Sequence, residues 1–343
     1  VIVTYPQLTA GNRQLQEESD QRDIALWKDS TSTQPPTSST LTANGAIVMS
    51  EFDLAKAVGF QDDDQPVAWN QRDLLIYAIG IGAKKDDFAI VNDKSWAPFP
   101  TYPVVLVFKG AEQELNDFRK RMTGGKRAPG LPKFDPNRGV HGSQSIEVLK
   151  PLPAVSGPGW KLKKRIVSVS ENKSGIILES ESLLVDANGT PYAKLYSASF
   201  NLGAKAMGKN FSKRIAGPPK RSLFPRIASP TGGDYNQLHI DPSIGKATGF
   251  GGVILHGLSS FGFAARGIVS AIGGGDPRSL RLFGVRFTSP VKPGDALETS
   301  VWEVGPGPDG TTEVTFVTKN VATGKICLGG GIAYVKKAEK SKL

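Results

Sequence analysis

The sequence predicts an α+β protein made of two copies of one unit, in which an antiparallel sheet wraps around a helix. In each half, helical sequence precedes a group of long strand-like segments that are separated by turn signals. Each half also places a proline-bearing segment before its long strands, Pro151-Leu152-Pro153 in the first and Pro290 to Gly294 in the second. The chain therefore has the pattern of an internal repeat.

The first half begins with helical patterns. We expect a short helix over residues 51–58, a helix over residues 70–81 with Asn70 as its cap, and a third over residues 111–122. The apolar face of the second of these helices is predicted to comprise Leu74, Leu75, Ala78 and Ile79.

Strand patterns follow the helical sequence of the first half. They cover residues 145–149, 160–170, 175–186 and 190–202. Between the last two, Asp186-Ala187-Asn188-Gly189 is typical of a hairpin turn. Long consecutive strands joined by short turns predict antiparallel pairing.

The second half repeats this order with a more apolar helix. The helix begins after His256-Gly257 and is predicted to end near Ile272, before a run of three glycines. Strand patterns then cover residues 280–287, 297–304, 311–320 and 325–335. Its apolar residues recur at spacings of three and four and extend beyond a single stripe, so we expect the helix to be buried. The stripe comprises Leu258, Phe261, Ala265, Ile268 and Ile272.

These patterns divide the chain into five parts. Residues 1–44 are predicted to be a flexible arm, because residues 30–42 are almost all Ser, Thr, Gln and Pro. The first repeat is predicted over residues 45–203, a basic, proline-containing linker over 204–226, the second repeat over 227–336 and a polar tail over 337–343.

Composition narrows the classes of function. The chain has 343 residues with a net charge of +10 and 39% hydrophobic residues. No apolar run approaches the ~20 residues of a membrane span. The basic residues are scattered, and no basic helix carries interleaved aromatic residues, which disfavours nucleic acid and leaves a phosphorylated small molecule such as a coenzyme as a partner. The single cysteine, Cys327, excludes an internal disulfide framework and a multi-cysteine zinc site, and its apolar surroundings indicate packing.

The segment Gly232 to Pro242 concentrates polar chemistry in a chain with only three histidines. Asp234 and His239 are five residues apart, a spacing that neither a strand nor a helix brings to one face, so we expect a loop. Asp241 and Pro242 have the pattern of a helix cap and the first helical position. Catalytic side chains often occupy such loops, although an isolated motif of this kind is more often a polar turn with a surface histidine.

The same residues resemble a known family. Gly233 to Pro242 followed by Ile254-Leu255-His256-Gly257-Leu258 is similar to the motif of the MaoC-like (R)-specific enoyl-CoA hydratases, also called hydratase 2. The segments that extend this resemblance into the eukaryotic two-repeat form are 72–82, 99–104, 141–144, 151–153 and 287–295. The resemblance implies a double hot-dog fold, in which each sheet wraps one helix.

The resemblance also implies a reaction. Members of the family add water to a trans-2-enoyl-CoA to give an (R)-3-hydroxyacyl-CoA, and the reaction is reversible. Carried over, Asp234 and His239 hold the water and exchange protons, and Asn236 orients the water or the pair. The backbone N–H of Gly257, at a helix start, would stabilise the thioester oxygen as it gains negative charge. No metal or other cofactor is implied, since coenzyme A arrives with the substrate.

Several further residues have both a functional and a structural interpretation. His256 is a candidate substrate contact, but a packed or hydrogen-bonded structural role is favoured for it and more strongly for His141. Arg286 is a candidate partner of a coenzyme phosphate, with a salt bridge at a sheet edge as an equal alternative. In the first repeat, Asp73 has no Asn or His at matching spacing, so one half is expected to catalyse while the other widens the cleft.

Three positions depart from the family pattern. Gln237 replaces a usual proline, Ser143 stands where Glu is more frequent, and the segment 200–208 is altered. These departures leave open a substrate that differs from an ordinary fatty acyl-CoA. The alternatives are a dehydratase in a specialised polyketide or fatty-acid-derived pathway and a non-catalytic acyl-thioester-binding protein.

The final three residues match a targeting signal. Ser341-Lys342-Leu343 matches the peroxisomal signal that an import receptor reads, and a polar lead-in precedes it. The sequence therefore predicts a peroxisomal location and binding to that receptor. A homodimer is a further expected assembly.

Overall fold

The computed structural model describes residues 52–87, 89–90, 96–111, 126–135, 138–218, 242–247 and 251–338, together with the backbone of residues 2–4. Its α-helices are α1 (Gln71–Gly80), α2 (Leu106–Lys109), α3 (Pro242–Ala247) and α4 (Gly257–Ile272). Its 3-10 helices cover Leu54–Ala57, Tyr102–Val105, Pro277–Ser279 and Pro308–Gly310. Its strands are β1 (Ile2–Thr4), β2 (Gln65–Pro66), β3 (Gly139–Val148), β4 (Lys161–Asn172), β5 (Gly175–Val185), β6 (Pro191–Leu202), β7 (Phe211–Arg214), β8 (Leu280–Phe287), β9 (Leu297–Pro306), β10 (Thr312–Asn320) and β11 (Ile326–Val335).

All of these strands belong to a single sheet. Its order is β1-β9-β10-β11-β8-β3-β6-β5-β4-β2, with β7 also paired to β4. The long strands pair antiparallel, and only β1 runs parallel to its neighbour β9. The large antiparallel sheet with helices at its face confirms the predicted α+β class.

The order of strands shows the predicted repeat. The first copy runs β3-β6-β5-β4 and the second runs β8-β11-β10-β9, so each strand of one copy has a counterpart in the other. The two copies meet where β3 pairs with β8, with Ser145 opposite Gly284 at the middle of the junction. A Cβ atom on Gly284 would lie 2.9 Å from the Cβ of Ser145, so glycine allows this close approach. The sheet is therefore continuous across both repeats.

The hydrophobic core also spans both repeats. Phe283 of β8 packs edge-to-face on Phe261 of α4, with ring centroids 4.7 Å apart, and stacks on Phe316 of β10 at 4.9 Å. The same cluster includes Trp69 and Trp160 of the first repeat, whose rings meet at 4.7 Å. The two repeats therefore share this cluster, while a smaller cluster around Leu54 and Ile176 lies within the first repeat alone.

Helix α4 is buried along most of its length, as predicted. Ten of its sixteen residues are buried, including small residues such as Gly262 and Ala265. Its C-terminal end is closed by Gly273, whose N–H donates to the carbonyl of Val269 at 2.9 Å. An apolar helix held by a sheet on one side and α1 on another leaves little surface for solvent.

Helix α1 has the predicted cap and a narrower buried face than predicted. Asn70 and Asp73 form a reciprocal capping box, at 3.2 and 3.0 Å. Leu74 and Ala78 are buried, but Ile79, which belongs to the predicted apolar face, is 63% exposed. Apolar residues occur around most of this helix, and only the positions that face α4 and the sheet are covered.

Two segments predicted to lack regular structure contain strands. Strand β7 lies within the predicted linker and pairs with β4, so Phe211–Arg214 extends the sheet of the first repeat. Strand β1 lies within the predicted flexible arm and pairs with β9. Residues 5–44 and 219–226 lie outside the described residues, as do all but the first residue of the helix predicted over residues 111–122.

Most predicted strands were located within two residues. The exception is β3, which begins at Gly139, six residues before the predicted start. The hairpin between β5 and β6 has the predicted turn, in which Asp186 Oδ1 accepts hydrogen bonds from the N–H groups of Asn188 and Thr190 at 2.9 and 2.8 Å. Across the described part of the chain, none of the helices has the length and apolarity needed to cross a bilayer.

Candidate active site

The start of α4 is the described part of the predicted site. His256 is the N-cap of the helix, and Gly257 is its first residue. The first N–H groups of a helix have no carbonyl partner within it. His256 satisfies two of them, because its Nδ1 accepts from Leu258 N–H at 3.1 Å and its carbonyl accepts from Ser259 N–H at 2.9 Å. Gly257 N–H has neither of these acceptors, and no other acceptor for it lies among the described residues, so it can donate to an oxygen at the helix start.

The hydrogen bond from Leu258 N–H indicates the tautomer of the His256 ring. A ring nitrogen that accepts a hydrogen bond carries a lone pair, so in the neutral imidazole the proton lies on Nε2. The aligned peptide dipoles of a sixteen-residue helix add positive potential at this end. The helix start therefore offers an N–H donor and a favourable field to a developing negative charge.

The segment before the helix is fixed to the sheet. Leu255 N–H donates to the carbonyl of Val291 at 2.6 Å, just beyond the end of β8. On the other side, the ring of Phe108 of α2 lies edge-to-face against His256, with centroids 5.9 Å apart. Phe108 was not assigned a role from the sequence.

His141 has the structural contacts expected for it. Its Nε2 lies 3.0 Å from Ser197 Oγ, and its ring packs at 4.9 Å on Phe287, the last residue of β8. A register shift between His141 and Ser143 interrupts the regular alternation of β3 at this point. His141 thus comes from the first repeat to the same end of the sheet as Val291.

Arg286 lies on the sheet but away from α4. Its strand β8 is paired on both sides, with Arg286 opposite Ser143 of β3 and Gly329 of β11, so the alternative of a sheet-edge position was wrong. Phe283 faces α4, and side chains on a strand alternate. Alternation therefore places Arg286 on the opposite face, and its contact with a coenzyme phosphate stays a hypothesis.

The acid–base residues of the predicted site lie outside the described residues. Asp234, Asn236 and His239 all precede α3, and the next described residues, Pro242–Ala247, form the helix that Asp241-Pro242 predicted. Their catalytic assignment therefore stays a prediction. Among the described residues, no group of three His, Cys, Asp or Glu side chains has the arrangement of a metal site.

Asp73 of the first repeat contributes to the cap of α1 and to an ion pair. One of its carboxylate oxygens accepts the N–H of Asn70 in the capping box, and the same oxygen lies 3.4 Å from Lys109 Nζ. The start of α1 is the counterpart of the start of α4, but here a carboxylate and an amide fill the cap. These contacts agree with the expectation that Asp73 lacks catalytic partners.

A half-buried tyrosine contacts the middle of α4. Tyr77 of α1 hydrogen-bonds to Thr101 Oγ1 at 2.8 Å, and its hydroxyl would lie 3.3 Å from a Cβ atom on Gly262. Burial raises the pKa of Tyr77 well above its ordinary value, and the bond to Thr101 lowers it only in part. Tyr77 and Thr101 both fall in segments that resembled the family, but neither was assigned a role from the sequence.

Both halves of the chain match family models. Residues 230–326 match the MaoC like domain, and residues 68–203 match the MFE-2 hydratase 2 N-terminal domain. These ranges correspond to the second and first repeats of the sheet.

Named relatives agree with these matches. The chain is 35% identical over 258 residues to a probable dehydratase, NIT22, of Ajellomyces capsulatus. The matched region covers 69% of this chain and 68% of that protein. It is 30% identical over 311 residues to the peroxisomal enoyl-CoA hydratase 2 of Arabidopsis thaliana, over 82% of this chain and 97% of the relative.

A solved structure shows the same architecture. The crystal structure of a MaoC-like dehydratase from Phytophthora capsici is 32% identical, with a TM-score of 0.71, and covers 84% of this chain and 100% of its own. This likeness confirms the predicted double hot-dog fold. With both repeats matched by family models and the helix start at Gly257 in place, the chain belongs to the MaoC-like hydratase 2 family.

Proposed function

We propose that the protein is a hydro-lyase that interconverts a trans-2-enoyl-CoA and an (R)-3-hydroxyacyl-CoA. The observation that carries this proposal is the start of α4, where the cap by His256 leaves Gly257 N–H at the positive end of a buried helix. In the sequence, the acid–base motif lies shortly before this helix. The names of the relatives, enoyl-CoA hydratase 2 and probable dehydratase, support the same class of reaction.

The proposed reaction moves one water molecule. In hydration, Asn236 orients the water, His239 takes a proton from it as the oxygen attacks C3, and protonated Asp234 delivers a proton to C2. Transfer of the proton from His239 to Asp234 then restores the pair. The thioester oxygen gains negative charge as the electrons of the double bond move towards it, and Gly257 N–H donates to this oxygen. Dehydration is the reverse. The step uses only these groups and the substrate, which carries the coenzyme A.

The central test is hydration of crotonyl-CoA and decenoyl-CoA, followed by the loss of absorbance of the conjugated thioester. Asp234→Asn and His239→Ala should each lower kcat by about 10²- to 10⁴-fold, the usual contribution of general acid–base catalysis. Asp73→Asn makes the same chemical change in the cap of α1 and should retain activity. Tight acyl-CoA binding without turnover of any enoyl or hydroxyacyl thioester would instead identify a non-catalytic acyl-thioester-binding protein.

A second candidate is a dehydratase of a specialised pathway. The observation that favours it is the 35% identity to a relative named probable dehydratase. Turnover confined to branched or oxygenated 3-hydroxyacyl thioesters would support this candidate, whereas efficient hydration of straight-chain enoyl-CoA would argue against it.

We further propose a peroxisomal location, with Ser341-Lys342-Leu343 as the segment that the import receptor binds. The tripeptide lies outside the described residues, and the support is its match to the import signal together with a relative named as peroxisomal. A fluorescent fusion that retains this tripeptide should enter peroxisomes, and removal of the tripeptide should leave it in the cytosol. The homodimer stays a prediction that sedimentation of the purified protein tests.

A further inference from the structure

A cavity of about 210 Å³ lies at the end of the sheet opposite to Gly257. We call it the Lys150 cavity. It is bounded by Lys150 and its neighbours after β3 and by the start of β8, where Leu280 and Arg281 contribute. Leu280 and Phe287 are the two ends of β8, about 23 Å apart at the usual rise of a strand, so this cavity is separate from the site at α4. Its apolar wall includes Trp96, Pro98, Pro100, Leu152 and Tyr192.

The internal repeat relates residues of this cavity to residues of the second repeat. Leu149 N–H, one residue beyond β3, donates to the carbonyl of Tyr192 at 2.9 Å. Thr288 N–H, one residue beyond β8, donates to the carbonyl of Cys327 at 3.0 Å. The two hydrogen bonds are counterparts, so Lys150 corresponds to Ser289. Lys150 and Pro151 of this cavity thus correspond to Ser289 and Pro290, which precede Val291 in the second repeat.

The rim of the cavity is cationic. Among the described residues, Lys150, Arg278 and Arg281 line it, and no acidic side chain does. Arg278 is neutralised by Asp276, with Nε 2.8 and 3.2 Å from the two carboxylate oxygens. Arg281 donates to the carbonyls of Arg278 and Leu280, and Lys150 Nζ lies 5.7 Å from the centroid of the Tyr192 ring. Within the described ranges, no carboxylate is paired to Lys150 or to Arg281.

Two cations beside an apolar wall are complementary to an amphipathic anion. At about 30 Å³ for each water-sized group, the cavity accommodates roughly seven such groups. We propose that the Lys150 cavity binds a medium-chain carboxylate of roughly six to eight carbons. Its hydrocarbon chain lies against Trp96 and Leu152, and its carboxylate contacts Lys150 and Arg281. This proposal does not depend on the reaction proposed for the second repeat.

Calorimetric titration of the full chain with sodium octanoate tests the site. We expect the Lys150→Met, Arg281→Met double variant to bind octanoate about tenfold or more weakly, because charge-assisted hydrogen bonds are lost. Leu152→Trp, which fills the apolar wall, should weaken binding without altering the cations. Lys163→Met removes an exposed lysine of β4 outside the cavity and should keep the affinity of the unaltered chain. The neutral analogue octanol should bind more weakly than octanoate.

Two results would overturn the proposal. One is equal octanoate affinity in the unaltered chain and in Leu152→Trp, which stays informative if the double variant fails to fold. The other is competitive inhibition of crotonyl-CoA hydration by octanoate that persists in the double variant, since this would locate octanoate in the substrate site at α4.

Discussion

Cys327 illustrates chemistry that is determined by the surroundings of a single residue. Its side chain is 1% exposed on β11, and its Sγ–H donates to the carbonyl of Thr318 at 3.3 Å. Burial raises the pKa of this thiol to about 12, because the thiolate loses its hydration. The packing role that its apolar neighbours indicated is confirmed, and the thiolate that a nucleophile requires is disfavoured.

We predict that the folded protein resists thiol-specific reagents at mildly alkaline pH. An unfolded cysteine ionises near its ordinary pKa of about 8.5, whereas the buried thiol stays protonated until about pH 12. The stability from the neutral thiol is therefore fully present below the unfolded pKa and is lost as pH rises towards the folded one. Ellman's reagent should label Cys327 only after addition of denaturant, and rapid labelling of the native protein would contradict this.

At the scale of elements, the two main helices begin in chemically different ways. An amide and a carboxylate cap α1, whereas an imidazole caps α4. The cap of α1 was predicted because Asn is a preferred capping residue, and the cap of α4 was not, because histidine is not among them. This difference is consistent with a purely structural role for the N-terminus of α1. The N-terminus of α4 is proposed to bind the thioester oxygen.

We predict that Asn70→Ala lowers the free energy of unfolding by about 1 kcal/mol, the usual cost of losing an N-cap. The reason is that the N–H of Asp73 then lacks its acceptor at 3.2 Å. Urea unfolding followed by circular dichroism measures the change. Asn70→Ser retains an oxygen acceptor and should recover most of the stability. A loss of the same size in both variants would show that the cap is not the cause.

At the scale of the whole molecule, the two repeats are joined by a sheet, a core and a helix contact. Helices α1 and α4 approach so closely that a Cβ atom on Gly262 would lie 2.3 Å from Ile81 Cγ2. Asp87 and Arg266 add an ion pair at 2.7 Å between the loop after α1 and α4. These links connect both copies through the larger apolar cluster, and the first repeat also has a smaller cluster that includes Leu54, Ile166 and Ile176.

We predict that the repeats unfold together in one transition. Gly262→Val overfills the helix contact and should lower the free energy of unfolding by about 1–3 kcal/mol. Hydrogen exchange of peptides from β5 and β10, one strand from each repeat, should increase together. Gly305→Ala is the control, because a Cβ atom there meets nothing within 4 Å. Faster exchange in β10 alone would show that the repeats unfold separately.

The sequence by itself determined the two-copy α+β plan, the long strands, the hairpin at Asp186 and the buried helix α4. These features follow from periodicity and from turn residues, which act over a few neighbouring positions. It also predicted the helix start at Gly257, whereas the catalytic assignment of Asp234, Asn236 and His239 stays a prediction.

Only the tertiary structure decided which apolar and charged positions are covered. In the folded chain, Ile79 is exposed and β7 pairs within the sheet. Strand β3 pairs with β8, and Arg286 lies on the face away from α4. The tertiary structure also brought Phe108 to His256 and formed the Lys150 cavity. Each of these outcomes depends on a partner that is distant in the chain, and the local pattern of residues contains no information about such a partner.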